Sequence, residues 1–128
     1  MSRVPFGSFE KFWTHYVRQH QHPATRLLHF LGTLIACILC GSGLAWQHWP
    51  LVLMGPMFGY GLAWLSHFLV EKNQPATFTH PIWSLIGDFK MFAMMLLGHM
   101  NREVQRVRAE SGVGQPADDG QPGGRRAA

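Results

Sequence analysis

Charge is what this chain has least of. Asp, Glu, Lys and Arg make up 14% of its 128 residues, against ~25% in ordinary soluble domains. The shortage is concentrated in two places. Leu27 to Trp46 and Trp49 to Val70 contain none of the four. A run of ~20 apolar residues spans a bilayer core, so both runs qualify as membrane helices, and an ordinary soluble bundle is disfavoured. Cysteine is also scarce: only Cys37 and Cys40, spaced C-x-x-C inside the first run. A redox or zinc role needs polar, accessible surroundings, so these read as small residues packing one helix on another. Met1 to Arg26 has no apolar core of the kind a cleavable signal peptide requires. No basic–aromatic platform or nucleic-acid motif is present, and no nucleic-acid partner is expected.

The basic excess, a formal net charge of +4, is placed unevenly. None of the eleven Lys and Arg residues lies in the Gln47–His48 turn between the apolar runs. The positive-inside rule then puts the N-terminus and the segment after Val70 in the cytoplasm, with the turn outside. The expected location is a bacterial-type inner membrane, where anionic headgroups attract these charges.

Along the chain, Ser8 to His20 reads as an amphipathic helix with Ser8 as N-cap. Phe9, Phe12, Trp13 and Tyr16 share one face, which suits a helix lying in the membrane interface. His22-Pro23 breaks it, and Pro23 starts the next helix. The two apolar runs, joined by only Gln47 and His48, must form an antiparallel hairpin. Trp46 and Trp49 mark its far end as an aromatic belt, and Gly55-Pro56 is a candidate kink. A third helix is expected over roughly Pro81 to Arg108, packed on or dipping into the cytoplasmic face, with a third true span as the alternative. The fold class is therefore all-α: a membrane hairpin, an amphipathic N-terminal helix and a third, interfacial or spanning helix. Residues 1–110 form the membrane domain. From Ser111 on, the chain is Gly, Pro, Ala, Asp, Gln and Arg apart from Ser111 and Val113, with no aromatic or long aliphatic residue, and reads as a disordered tail.

Against this apolar background the histidines stand out. His29 lies 18 residues before Gln47, and His67 lies 19 residues after His48. At ~1.5 Å per residue both sit ~27–29 Å from the turn, at nearly one depth. Arg26, His29 and Thr33 share a face of the first span, and Trp64, His67, Phe68 and Glu71 share one of the second. The polar groups expected to converge are His20, Arg26, His29, His67, Glu71, Asn73 and Asp88. Imidazole with carboxylate is a donor set for iron or zinc, and two His with one carboxylate suits an oxygen-activating ferrous site. Two other readings stay open. One is a cytochrome-b-like protein with His29 and His67 as axial haem ligands. The other is a non-catalytic membrane scaffold or lipid-binding protein. His15, His22, His48, His80 and His99 read as ordinary polar residues.

Three segments carry a resemblance. They are His22-Pro23-Ala24-Thr25-Arg26-Leu27-Leu28-His29-Phe30-Leu31-Gly32-Thr33, then His67-Phe68-Leu69-Val70-Glu71-Lys72-Asn73-Gln74-Pro75-Ala76-Thr77-Phe78, and Pro81-Ile82-Trp83-Ser84-Leu85-Ile86-Gly87-Asp88-Phe89-Lys90-Met91. Over about Phe6 to Met100 the chain resembles a family of small membrane proteins that includes iron-dependent 2-hydroxy fatty acid α-dioxygenases. The resemblance implies that His20, His29 and His67 hold Fe(II). It also implies a long-chain 2-hydroxy fatty acid and molecular oxygen as substrates, with membrane lipid around them. Eukaryotic members carry a further histidine directly after the glutamate, where this chain has Lys72; Glu71 or Asp88 is then the expected extra donor or catalytic carboxylate. Arg26, Lys72 and Asn73 are the expected contacts to the substrate head, with Arg26 or Lys72 holding its carboxylate. Neither chain-length preference nor oligomeric state is legible.

Overall fold

The computed structural model describes residues 6–113 and is all-helical there. Helix α1 spans Phe9–Arg18, and the Ser8 hydroxyl accepts the Lys11 N–H at its start. Helices α2 (Pro23–Ala45) and α3 (Trp49–Ser66) form the hairpin. Pro56 lies inside α3, which continues through a π-helical turn, His67–Glu71. A 3-10 turn, Ala76–Phe78, leads to α4 (Pro81–Leu96) and α5 (Met100–Val113). Helix α2 and the Trp49–Glu71 rod are each long and apolar enough to cross a membrane.

The hairpin is sealed by small residues. A Cβ on Gly32 would lie 3.0 Å from the Gly59 carbonyl oxygen, and one on Gly43 would lie 2.7 Å from the Val52 side chain. Backbones that close dispense with the driving force of water exclusion, which lipid does not supply. Cys40 contributes as expected, since its sulfur faces the α carbon of Gly55 with no room for a side chain there. Cys37 does not, because it is exposed.

Two expectations are revised. The third helix is not continuous from Pro81 to Arg108: α4 and α5 are bent by 119° to one another. Gly98 adopts φ +74°, its N–H bonds the Met95 carbonyl, and the His99 N–H bonds the Met94 carbonyl. This is the double bond of a Schellman helix stop, which favours glycine at the left-handed position. Secondly, the aromatic face of α1 is not turned outward. Phe12, Trp13, Tyr16 and Val17 are buried with Met91, Met100, Val104 and Val107 from α4 and α5. Helices α1 and α5, with the face of α4 that meets them, thus form a cap with a conventional core at the histidine end of the hairpin. Trp13 Nε1 donates to Glu103 across it at 2.7 Å. Helix α5 runs three residues into the segment read as tail; the rest of that tail, with Arg125 and Arg126, lies outside the described residues, as does Arg3.

Candidate metal centre

His20 follows the last turn of α1, His29 is two turns into α2, and His67 opens the π-helical turn. All three are buried, at 1%, 4% and 2% exposed. One ring nitrogen from each lies within 4.8 Å of the other two. Ring centroids are 4.5 to 5.0 Å apart and the planes are nearly perpendicular. The equal depth of His29 and His67, inferred by counting from the turn, is present in the fold.

The outer nitrogens fix what the inner ones offer. His20 Nδ1 donates to the Tyr16 carbonyl at 2.6 Å. His29 Nδ1 donates to the Thr25 carbonyl at 2.9 Å, with Ser66 Oγ at 3.2 Å. His67 Nδ1 donates to Asn73 Oδ1 at 2.6 Å, and Asn73 Nδ2 in turn donates to the Gln19 carbonyl, which sets the amide's orientation. A carbonyl oxygen can only accept, so each Nδ1 carries the proton and each Nε2 is left as a bare lone pair. His20 Nε2 and His29 Nε2 are 3.1 Å apart with no hydrogen to share between them. Facing lone pairs in a buried site call for a cation. Two donors each ~2.0–2.1 Å from one ion and at right angles to each other would be about 3 Å apart. Holding the second ring nitrogen of a ligating histidine by a carbonyl is also the usual support for a metal site. The residues therefore fit a metal ion. They do not fit a haem between His29 and His67, because the His20 ring fills the space beside both.

A proton is a poor substitute for that cation at His20. Burial, then the neighbouring His29 and His67, pushes its imidazole well below the usual histidine range. Tyr16 stacks on His20 at 4.0 Å between centroids and hydrogen-bonds Asp88 through its hydroxyl. Burial and the Asp88 charge raise the Tyr16 phenol, so it stays a donor.

The other expected site residues are sorted by the fold. Asp88 reaches the cavity beside His29. Arg26 is buried, and its Nη1 donates to the His20 and Gln21 carbonyls at 2.8 Å each. Glu71 Oε1 accepts the His22 N–H at 2.8 Å. Both hold the α1–α2 turn that carries His20, and Glu71 is not grouped with the three histidines. Asn73 supports His67. Lys72 is exposed and takes the left-handed conformation, φ 56°, that ends the π-helical turn; its N–H and that of Asn73 both return to the His67 carbonyl. Sequence reasoning missed Tyr16, Thr25 and Ser66. For the first two the signal was present: each lies four residues before a histidine, where its carbonyl faces that ring.

Fold and site together define a small helical membrane protein with a three-histidine cluster where a hairpin meets its cap. Residues 6–100 match the model of the family described as 2-hydroxy-palmitic acid dioxygenase Mpo1-like, and the chain belongs to that Mpo1-like family. No curated protein matches the chain, and no solved structure does.

Proposed function

We propose that this protein is an iron-dependent dioxygenase that shortens 2-hydroxy fatty acids by one carbon. The observation that carries the reading is the set of three Nε2 lone pairs, each aimed inward by a hydrogen bond on the opposite ring nitrogen. The family's description supports the substrate class. Three neutral histidines leave coordination positions free, and ferrous iron held by them would supply chelation of a carboxylate and 2-hydroxyl together with oxygen activation.

The chain's own residues do the rest. Tyr16, Thr25 and Asn73 fix the imidazole tautomers and hold the rings in place. Arg26 and Glu71 hold the turn that brings His20 against the hairpin. Asp88, which accepts the Tyr16 hydroxyl and borders the cavity, would accept or return a proton at the substrate's 2-hydroxyl. Lys72, exposed at this end of the hairpin, would hold the substrate carboxylate. The substrate's amphipathic form suits a site at a membrane face, and we assign that face to the cytoplasm from the distribution of basic residues. A cysteine at Gln47 should react with an impermeant thiol reagent from outside, and one at Gln74 should not.

Anaerobically purified protein loaded with ferrous iron should consume oxygen with 2-hydroxypalmitate and yield an acid one carbon shorter. Palmitate, which lacks the second chelating oxygen, should not be consumed. Folded, iron-loaded protein without 2-hydroxy-acid-dependent oxygen uptake at any chain length would overturn the reading.

A further inference from the structure

A groove leads away from the histidines into the hairpin. It encloses a cavity of about 310 Å³, at the small end of the ~300–1,000 Å³ typical of ligand pockets. One end is polar, with His29 and Asp88 in its lining. From there it follows one stripe of α2, through Thr33, Ala36 and Cys37 to Cys40, opposite Gly59 and Pro56 of α3. Leu85 and Phe89 of α4 border it as well. His29 to Cys40 is eleven residues, or ~16 Å of helix.

The groove has a physical origin and an end. Ala36 and Gly59 meet at the seam of the two helices, where a Cβ on Gly59 would lie 3.3 Å from that of Ala36. Such small residues leave a furrow between the larger side chains that flank them. Gly55 packs on Ala36 and Cys40 along the same seam, and beyond the last lining residue of α2, Cys40, Gly43 packs on Val52, where the helices close on each other. What fits is a thin, flexible apolar rod carrying a polar group at one end only. Ile38, Leu53 and Met57, exposed elsewhere on the hairpin, do not line it.

We propose that this groove seats the acyl tail of the substrate, running from the histidine cluster toward Cys40, and that its closure beyond Cys40 limits the chain length taken in. The proposal rests on the reading above for the head group. It adds where the tail goes and in which direction.

The test uses the full chain in phospholipid nanodiscs, loaded with ferrous iron and kept anaerobic. Two photoreactive 2-hydroxypalmitates are compared, one with a diazirine near the head and one with it near the tail end. Crosslinked residues are mapped by mass spectrometry. The first should mark the neighbourhood of Thr33 and Ala63, and the second should shift about two helical turns, to Cys37, Cys40 and Pro56. Unlabelled 2-hydroxypalmitate should suppress both, and added phospholipid should suppress neither. Cys37→Trp, at an exposed lining position, should abolish the far crosslinks and spare the near ones. Crosslinks spread over Ile38, Leu53 and Met57, equal suppression by phospholipid, or no shift between probes would overturn the groove assignment. Oxygen uptake is measured separately, so an inactive protein with the expected crosslinks would overturn the reaction and leave the groove. An active one with scattered crosslinks would do the reverse.

Discussion

In the cap, Phe12, Trp13, Tyr16 and Val17 are all 2% exposed or less, while along the hairpin Leu44, Leu53 and Met57 are each more than half exposed. The same kind of side chain is thus turned inward in one region and outward in the other. The cap is built as a water-soluble bundle, held by apolar burial that contributes ~1.5–3 kcal/mol per large side chain. The hairpin is held by close backbone approach at Gly32, Gly43 and Gly55, with its large residues left for lipid. Neither region holds the histidine cluster alone. His20 comes from the cap, His29 and His67 from the hairpin, and the rings meet where the two modes of packing join. A bound ion there would tie a region stabilised by water exclusion to one stabilised by lipid.

The largest contrast should appear in thermal unfolding of detergent-solubilised protein. Phe12→Ala, in the cap core, should cost about 3–5 kcal/mol. Leu53→Ala, on the outer face of the hairpin, should change stability by no more than ~0.5 kcal/mol. Equal costs would break the distinction between the regions. A smaller effect should come from the junction. Asn73→Ala removes the acceptor for His67 Nδ1 and should weaken metal binding ~10–100-fold, read by chelator competition, with the helical circular dichroism unchanged. Glu71→Gln, which keeps an acceptor for the His22 N–H, should weaken it less.

The smallest effect is one of pH. In the cap, the hydrogen bonds from Arg106, foremost, and Trp13 hold the Glu103 carboxyl below the usual glutamate value. A depressed carboxylate contributes stability that is present above its unfolded pKa of about 4.5 and is lost as pH falls through the lower folded value. Trp13 fluorescence should therefore change on acidification below about pH 4.5, and Glu103→Gln should flatten that response.

How much of this was legible in sequence differs between the same two regions. The hairpin was readable because its constraint is length and absence of charge, and its two-residue turn fixes register; counting from Gln47 and His48 brought His29 and His67 level. The cap was not. Phe9, Phe12, Trp13 and Tyr16 give one amphipathic stripe whether the partner is lipid or protein, and only the fold shows α5 covering it. The break at Gly98 was written in the sequence as a glycine, but helical periodicity on both sides masked it. The supporting contacts of the site were hardest to read, because they use main-chain carbonyls of Tyr16 and Thr25 and a π-helical turn that returns Asn73 to His67. Arg26 and Glu71, read from the sequence as substrate and catalytic residues, also bond the α1–α2 turn, a contact that no sequence pattern announces.

The account stands most directly on one measurement: metal content and X-ray absorption of the iron-loaded wild type beside His20→Ala, His29→Ala and His67→Ala. It predicts one ion per wild-type chain with three imidazole nitrogens as neighbours, and loss of that ion in each variant, His20→Ala included although its histidine belongs to the cap. Iron retained at full stoichiometry in any one of the three variants would contradict it.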